Sequence, residues 1–167
     1  LFTVGMQARD YVLCGFDLAD LIITVGYDFV EYLPKYWNDE AMNPIIHIDA
    51  RPAEIDAYYP VQAELVGNVT EALEALTTGV AKKELWPEVK KLRSQIIEKF
   101  HSSDDVSGSP IIPQRIIADL KRAEKGNAIV ISDVGAHKLW IARMYQPEMP
   151  NHTIISNGFA SMGIAIP

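Results

Sequence analysis

Cysteine is nearly absent from this sequence: Cys14 is the only one in 167 residues. That rules out an internal disulfide framework and any zinc site built on cysteine thiolates. A single thiol, expected to lie buried and inert beside Tyr11-Val12-Leu13, also suits a reducing cytoplasm, the compartment expected here. Long apolar runs are missing as well. None reaches the roughly 20 residues that cross a bilayer, so no membrane segment is expected. Basic clusters are missing too: 15 Lys and Arg stand against 22 Asp and Glu, for a net charge of -7. Such a surface repels a phosphate backbone, which excludes nucleic acid as an expected partner. No internal repeat is evident. The sequence has no initiator Met and no signal-peptide pattern, and it stops inside an apolar stretch, Gly163-Ile164-Ala165-Ile166-Pro167. It is therefore expected to be a segment of a longer protein.

What is present is an ordinary soluble balance, 49% hydrophobic and 22% charged, in a chain long enough for one domain or parts of two. β-Branched residues collect in short runs closed by Gly or Asp. Residues 19–26 enter one such run after a helical stretch, 44–49 form a second and 63–67 a third. Continuous apolar runs of this length fit strands buried on both faces. An aromatic-rich loop, residues 27–43, separates the first two. Asn68, with Glu71 three positions on, reads as a capping-box variant; Val69, Ala72, Leu73 and Leu76 mark one face of the helix it opens. Leu85, Val89, Leu92, Ile96 and Phe100 recur at helical spacing over residues 83–101, with Pro87 in the first turn. Ser, Asp and Gly then crowd residues 101–110, the best linker in the chain, with a domain boundary near residue 105. Pro113 opens a helix that Gly126 closes; 128–134 is a buried strand, 136–145 a helix and 152–157 another strand. Strands alternating with helical connections give an α/β fold: a parallel, Rossmann-like sheet, a linker helix, and a partial second α/β unit. The corresponding division is 1–80, 81–109 and 110–167.

Parallel sheets bind ligands at the carboxyl ends of their strands, and helices starting there offer free N–H groups to phosphate. Four such ends carry suggestive residues: Gly26-Tyr27-Asp28, Asp49, Gly135-Ala136-His137, and the stretch from Asn157 to Gly163. Each also has a plain structural reading. Gly26 can simply stop a strand, since no further glycines complete a dinucleotide fingerprint. Asp49 can cap the next turn, and His47, between apolar neighbours, suits a hydrogen-bonded core histidine better than a ligand. His137 can be an ordinary helix-start residue. Met162, Trp37, Trp86 and Trp140 read as packing residues, and Asp104-Asp105 as a solvated charge pair. These patterns reach two partial α/β units with a candidate phosphate site.

Two longer stretches carry more. The first runs Ala19-Asp20-Leu21-Ile22-Ile23-Thr24-Val25-Gly26-Tyr27-Asp28-Phe29-Val30-Glu31-Tyr32, then Trp37-Asn38, Ile46-His47-Ile48-Asp49 and Glu64-Leu65-Val66-Gly67. The second runs Ser132-Asp133-Val134-Gly135-Ala136-His137-Lys138-Leu139-Trp140-Ile141-Ala142-Arg143, then Ile155-Ser156-Asn157-Gly158-Phe159-Ala160-Ser161-Met162-Gly163. The first resembles the central domain of thiamine-diphosphate enzymes of the acetolactate synthase kind, in the catabolic, flavin-independent branch. The second resembles the opening of their diphosphate-binding domain. The resemblance covers nearly the whole chain in order and is least specific over residues 80–112.

The resemblance implies roles. Gly135, Ala136 and His137 would face the diphosphate of the cofactor. The turn from Gly158 to Gly163 would hold the aminopyrimidine, with the Ala160 carbonyl accepting from its amino group and the Met162 N–H donating to a ring nitrogen. The Met162 side chain would wedge between the cofactor's two rings. The implied reaction decarboxylates pyruvate and joins the remaining two-carbon unit to a second pyruvate, giving 2-acetolactate. Another 2-oxo-acid decarboxylation or oxidation on the same scaffold is the enzymatic alternative, and a standalone nucleotide-binding or regulatory module the non-enzymatic one. Gly26-Tyr27-Asp28-Phe29 stands where the flavin-dependent branch carries Arg-Phe-Asp, so FAD is not expected. Ala136 and Ala160 also depart from residues common in the family, which leaves the substrate open. The activating glutamate would lie in a first domain, and the Mg2+ motif beyond Pro167. These 167 residues alone are thus expected to be inactive, and the parent to be a homodimer or homotetramer.

Overall fold

The computed structural model describes residues 2–4, 11–30, 32–40, 42–156 and 160–166. The chain divides into two compact units, one ending at Leu92 and the other running from Arg93 onward together with residues 2–4.

The first unit is a three-stranded parallel sheet in the order β1 (Ile22–Val25), β2 (Ile45–Asp49), β3 (Val61–Val66). β-Branched side chains favour this pleated geometry. Ile45 and Ile48 of the central strand are fully buried. Gly26 and Gly67 extend the ladder by donating to the Ile48 and Asp49 carbonyls. Gly26 then turns left-handed at φ 59° and Gly67 adopts φ 150°, both conformations that the lack of a Cβ permits. The aromatic loop after β1 folds back on the sheet: Ile22, Trp37, Ile45 and Tyr59 form the core, with Leu13, Phe16, Tyr27, Phe29 and Tyr32 packed on it. Trp37 Nε1 donates to Tyr27 Oη at 3.0 Å. α1 (Val69–Gly79) starts where Asn68 Oδ1 accepts from the N–H groups of Thr70 and Glu71.

α2 (Pro87–His101) begins at its proline, not at residue 83. A proline ring disfavours helical geometry in the residue before it, so Leu85 and Trp86 stay outside the helix despite the favourable spacing. Trp86 is correspondingly 58% exposed and is not a packing residue. Cys14 is exposed, contrary to expectation. Residues Tyr11–Leu18 form a 3-10 helix. With three residues per turn, Leu13 and Phe16 share the face packed on the core and Cys14 is turned away.

The second unit pairs β4 (Val130–Ser132) and β5 (Thr153–Ile155) in parallel, with α3 (Pro113–Glu124) packed on α4 (Ala136–Met144). Both strands are shorter than the sequence runs 128–134 and 152–157. α3 ends on left-handed Lys125, followed by Gly126. The Glu124 carboxylate, 4% exposed, accepts from Lys121 Nζ at 2.8 Å and from the N–H groups of Gly126 and Ala128. Lys121 foremost, and then the two N–H groups, hold it down at about 2. Phe2 meets Phe100 edge-on at 5.5 Å, and Thr3 Oγ1 donates to the Ala142 carbonyl. Asp104 and Asp105 are paired, not free: one meets His101 Nδ1 at 2.7 Å, the other Arg122 at 2.8 Å. Both pairs reach solvent and contribute little.

Candidate functional site

Because β4 and β5 run in parallel, with Ser132 opposite Ile155, both chains leave the sheet at the same edge. From β4 the chain passes through Asp133, Val134 and Gly135 into α4. Gly135 occupies the helix N-cap at φ 150° and ψ -173° and provides no side-chain cap. The first-turn N–H groups of α4, at Ala136 and His137, thus gain no partner from an N-cap side chain, and the helix start carries the partial positive charge that favours an anion. His137 is exposed, with its ring folded beside Gly135: a Cβ built on Gly135 would lie 2.8 Å from His137 Cε1.

From β5 the chain leads past Ser156 to the turn containing Ala160, Met162 and Gly163. Gly158, a predicted contact of the cofactor, lies outside the described residues. Ala160 is left-handed at φ 48° and Gly163 at φ 90°; the Met162 side chain is 84% exposed. Two ties join the segments after the two strands. Both carboxylate oxygens of Asp133 accept from the Gly163 N–H, each at 2.8 Å, while Oδ1 also accepts from Val134 N–H at 2.7 Å. Lys138 Nζ donates to the Ser156 carbonyl at 3.4 Å. The two predicted turns are therefore neighbours on one sheet edge. Asp133 was quoted in the sequence without a role, and its signal was modest: a carboxylate at a strand end, two residues before a glycine.

The carboxyl ends of β1 and β2 border a separate cleft of about 180 Å³, lined among others by Tyr27, Asp28, His47, Asp49 and Arg51. Its polar groups are engaged locally. Asp28 accepts from Val30 N–H and Asp49 from Arg51 N–H, so both carboxylates serve their own turns. His47, 4% exposed, bonds Tyr59 Oη at 3.0 Å and the Arg51 carbonyl at 3.1 Å. A carbonyl only accepts, so Nε2 carries a proton and donates it to the Arg51 carbonyl, while Nδ1 shares a hydrogen bond with the Tyr59 hydroxyl. Tyr27 is pushed up to about 12, chiefly by burial. Among the described residues no group of three His, Cys, Asp or Glu side chains could hold a metal ion, and no helix is long and apolar enough to cross a membrane.

A parallel α/β unit with an uncapped helix start beside a left-handed turn is an α/β protein that offers backbone N–H groups of the kind that favour an anion. Its kind is narrower than that. Residues 1–76 match the thiamine pyrophosphate enzyme central domain, and residues 133–167 the C-terminal TPP binding domain of the same enzymes. The chain belongs to the thiamine pyrophosphate (thiamine diphosphate) enzymes. It is 31% identical over 153 residues to the acetolactate synthase of Bacillus subtilis (strain 168), covering 89% of this chain and 27% of that protein. It is 30% identical over 154 residues to the catabolic acetolactate synthase of Raoultella terrigena, with the same 89% and 27% coverage. To the probable acetolactate synthase large subunit of Methanocaldococcus jannaschii it is 29% identical over 178 residues, covering 98% of this chain and 29% of that one. The chain thus spans a little over a quarter of the length of these relatives.

Proposed function

We propose that this chain is part of a cytoplasmic, thiamine-diphosphate-dependent enzyme that converts pyruvate to 2-acetolactate, and that the 167 residues alone are inactive. The observation that carries the reading is the uncapped start of α4 and the exposed Met162 turn on a single sheet edge, tied through Asp133. The named relatives, acetolactate synthases, support the substrate. In this reading the domain limits are 1–80, 81–109 and 110–167.

The residues present fit the cofactor. The N–H groups of Ala136 and His137 bind its diphosphate, and Gly135, without a Cβ, lets the anion approach the backbone closely. The Ala160 carbonyl and the Met162 N–H hold the aminopyrimidine end, and the Met162 side chain packs against the rings. Bound there, thiamine diphosphate supplies the electron sink for decarboxylation and carbon–carbon bond formation. The activating carboxylate and the Mg2+ ligands come from outside residues 1–167, and the parent works as a homodimer or homotetramer without FAD.

The test has two arms. The whole protein, supplied with thiamine diphosphate, Mg2+ and pyruvate, should form 2-acetolactate and purify without flavin absorbance; acetaldehyde or acetate as sole product would reject the assignment. Calorimetric titration of the 167-residue chain with thiamine diphosphate and Mg2+ should detect weak or no binding. Sub-micromolar binding would mean that the chain holds a complete site.

A further inference from the structure

Asp133 lies outside the proposed contacts, after the last ladder residue of β4 and before the N-cap of α4. Ser132 and Val130 hold β4 to β5, and α4 starts from Gly135 without help from a side chain. Yet Asp133 places a carboxylate beside a helix start that is to receive an anion, where an uncommitted negative charge would repel the ligand. Its charge is fully committed. Oδ1 accepts from Val134 N–H, and both oxygens accept from Gly163 N–H, a residue 30 positions away. Charge-assisted bonds of this kind are short and directional. Gly163 is left-handed at φ 90°, so its N–H is aimed by backbone that other residues adopt only with strain. The residue before it is Met162.

We propose that Asp133 is a positioning residue: its carboxylate fixes the Gly163 N–H, and so sets the distance between Met162 and the start of α4. This rests on the thiamine-diphosphate reading of the same site. In this role Asp133 acts through the Gly163 N–H and not on the ligand itself. It determines whether a ligand already seated by its diphosphate also meets the Ala160–Met162 turn, so it governs discrimination between thiamine diphosphate and bare inorganic diphosphate.

The experiment uses the whole protein, as wild type, Asp133→Asn and Asp133→Ala, with folding checked by circular dichroism. Without ligand, hydrogen exchange of the peptide covering 160–166 should be slow in wild type and fast in both variants. Calorimetric titrations with Mg2+ should then show thiamine diphosphate weakened about tenfold in Asp133→Asn and further in Asp133→Ala, the loss expected when a charged hydrogen bond that orders a binding loop is removed. Inorganic diphosphate should stay within about twofold of wild type, because its helix-start site is unaltered. Equal losses for both ligands, or unchanged binding of thiamine diphosphate, overturn the proposal. So does unprotected exchange of the 160–166 peptide in wild type, a result that needs no folded variant. Wild type that exchanges slowly there yet binds no thiamine diphosphate identifies the cofactor reading as what failed, and the positioning role falls with it.

Discussion

Replacing Gly135 by Ala separates backbone strain from steric contact at the start of α4. At φ 150° and ψ -173°, a residue with a Cβ is held at a cost of about 1–3 kcal/mol. The new methyl would also lie 2.8 Å from Cε1 and 3.0 Å from Nδ1 of His137. These penalties differ in kind. The His137 ring ends an exposed side chain and can move to another staggered rotamer, for about 1 kcal/mol or less. The dihedral strain has no such release, because Gly135 is held between α4 on one side and the β4 ladder, which ends at Ser132, on the other. Gly135→Ala should therefore lower the urea unfolding free energy of the whole protein by about 2 kcal/mol. His137→Ala alone should change it by less than about 0.5 kcal/mol, as for an exposed side chain. The double variant should keep most of the Gly135→Ala loss. Full recovery in the double variant would show that the contact, not the dihedral, is what glycine relieves; Gly135→Ala as stable as wild type would refute both.

Three further outcomes follow from buried polar groups. Glu124 is held at about 2 against an ordinary 4.5, so its stabilising contribution is complete above pH 4.5 and is lost as pH falls toward 2; urea midpoints should drop across that window, and Glu124→Gln should flatten the slope. Tyr27 is held at about 12 against 10. Between pH 10 and 12 the unfolded chain gives up this proton while the folded one keeps it, so stability should fall as pH rises; Tyr27→Phe should remove part of that fall and delete one late phenol from an ultraviolet titration. Tyr59→Phe strips the hydroxyl shared by Thr24 Oγ1, at 2.5 Å, and His47 Nδ1. It leaves the buried imidazole short of a partner and should cost about 2 kcal/mol in a urea titration; a loss under about 0.5 kcal/mol would mean that water or a shifted ring satisfies the imidazole.

Legibility followed the range of the physics. β1 and β2 could be located from their β-branched runs, though only β2 is buried on both faces, Ile23 and Val25 of β1 being exposed; the Asn68 cap could be read because donor and acceptor lie two and three residues apart. The start of α2 was misread because Leu85 continues a periodic pattern that Pro87 interrupts. Periodicity counts side chains, whereas a helix start is decided by backbone sterics. Cys14 turned outward because its segment winds with three residues per turn, which apolar spacing over eight residues does not distinguish from other local structure. At the candidate site, the helix start at Gly135 and the turn at Met162 could be placed separately. Their adjacency could not be read from local pattern, because it depends on bonds between residues 18 and 30 positions apart.

That dependence follows from how little ladder the second sheet has. β4 and β5 are three residues each and pair only with one another among the described residues, and a two-stranded pairing of this length is marginal on its own. A short ladder fixes which way the strands point but leaves the loops beyond it free to diverge. The loops at this edge are instead constrained from outside the ladder. Asp133 binds Gly163, Lys138 binds the Ser156 carbonyl, and the Ser132 hydroxyl, buried to 1% exposure, turns back to the Asp133 carbonyl. Each tie runs from the β4–α4 side, and two of the three reach the segment that follows β5. The geometry of this edge therefore depends on a few polar contacts rather than on the sheet. Substitutions of these side chains should alter affinity before they alter the fold, whereas substitutions at Ile117 or Tyr145, both buried in the same unit, should do the reverse.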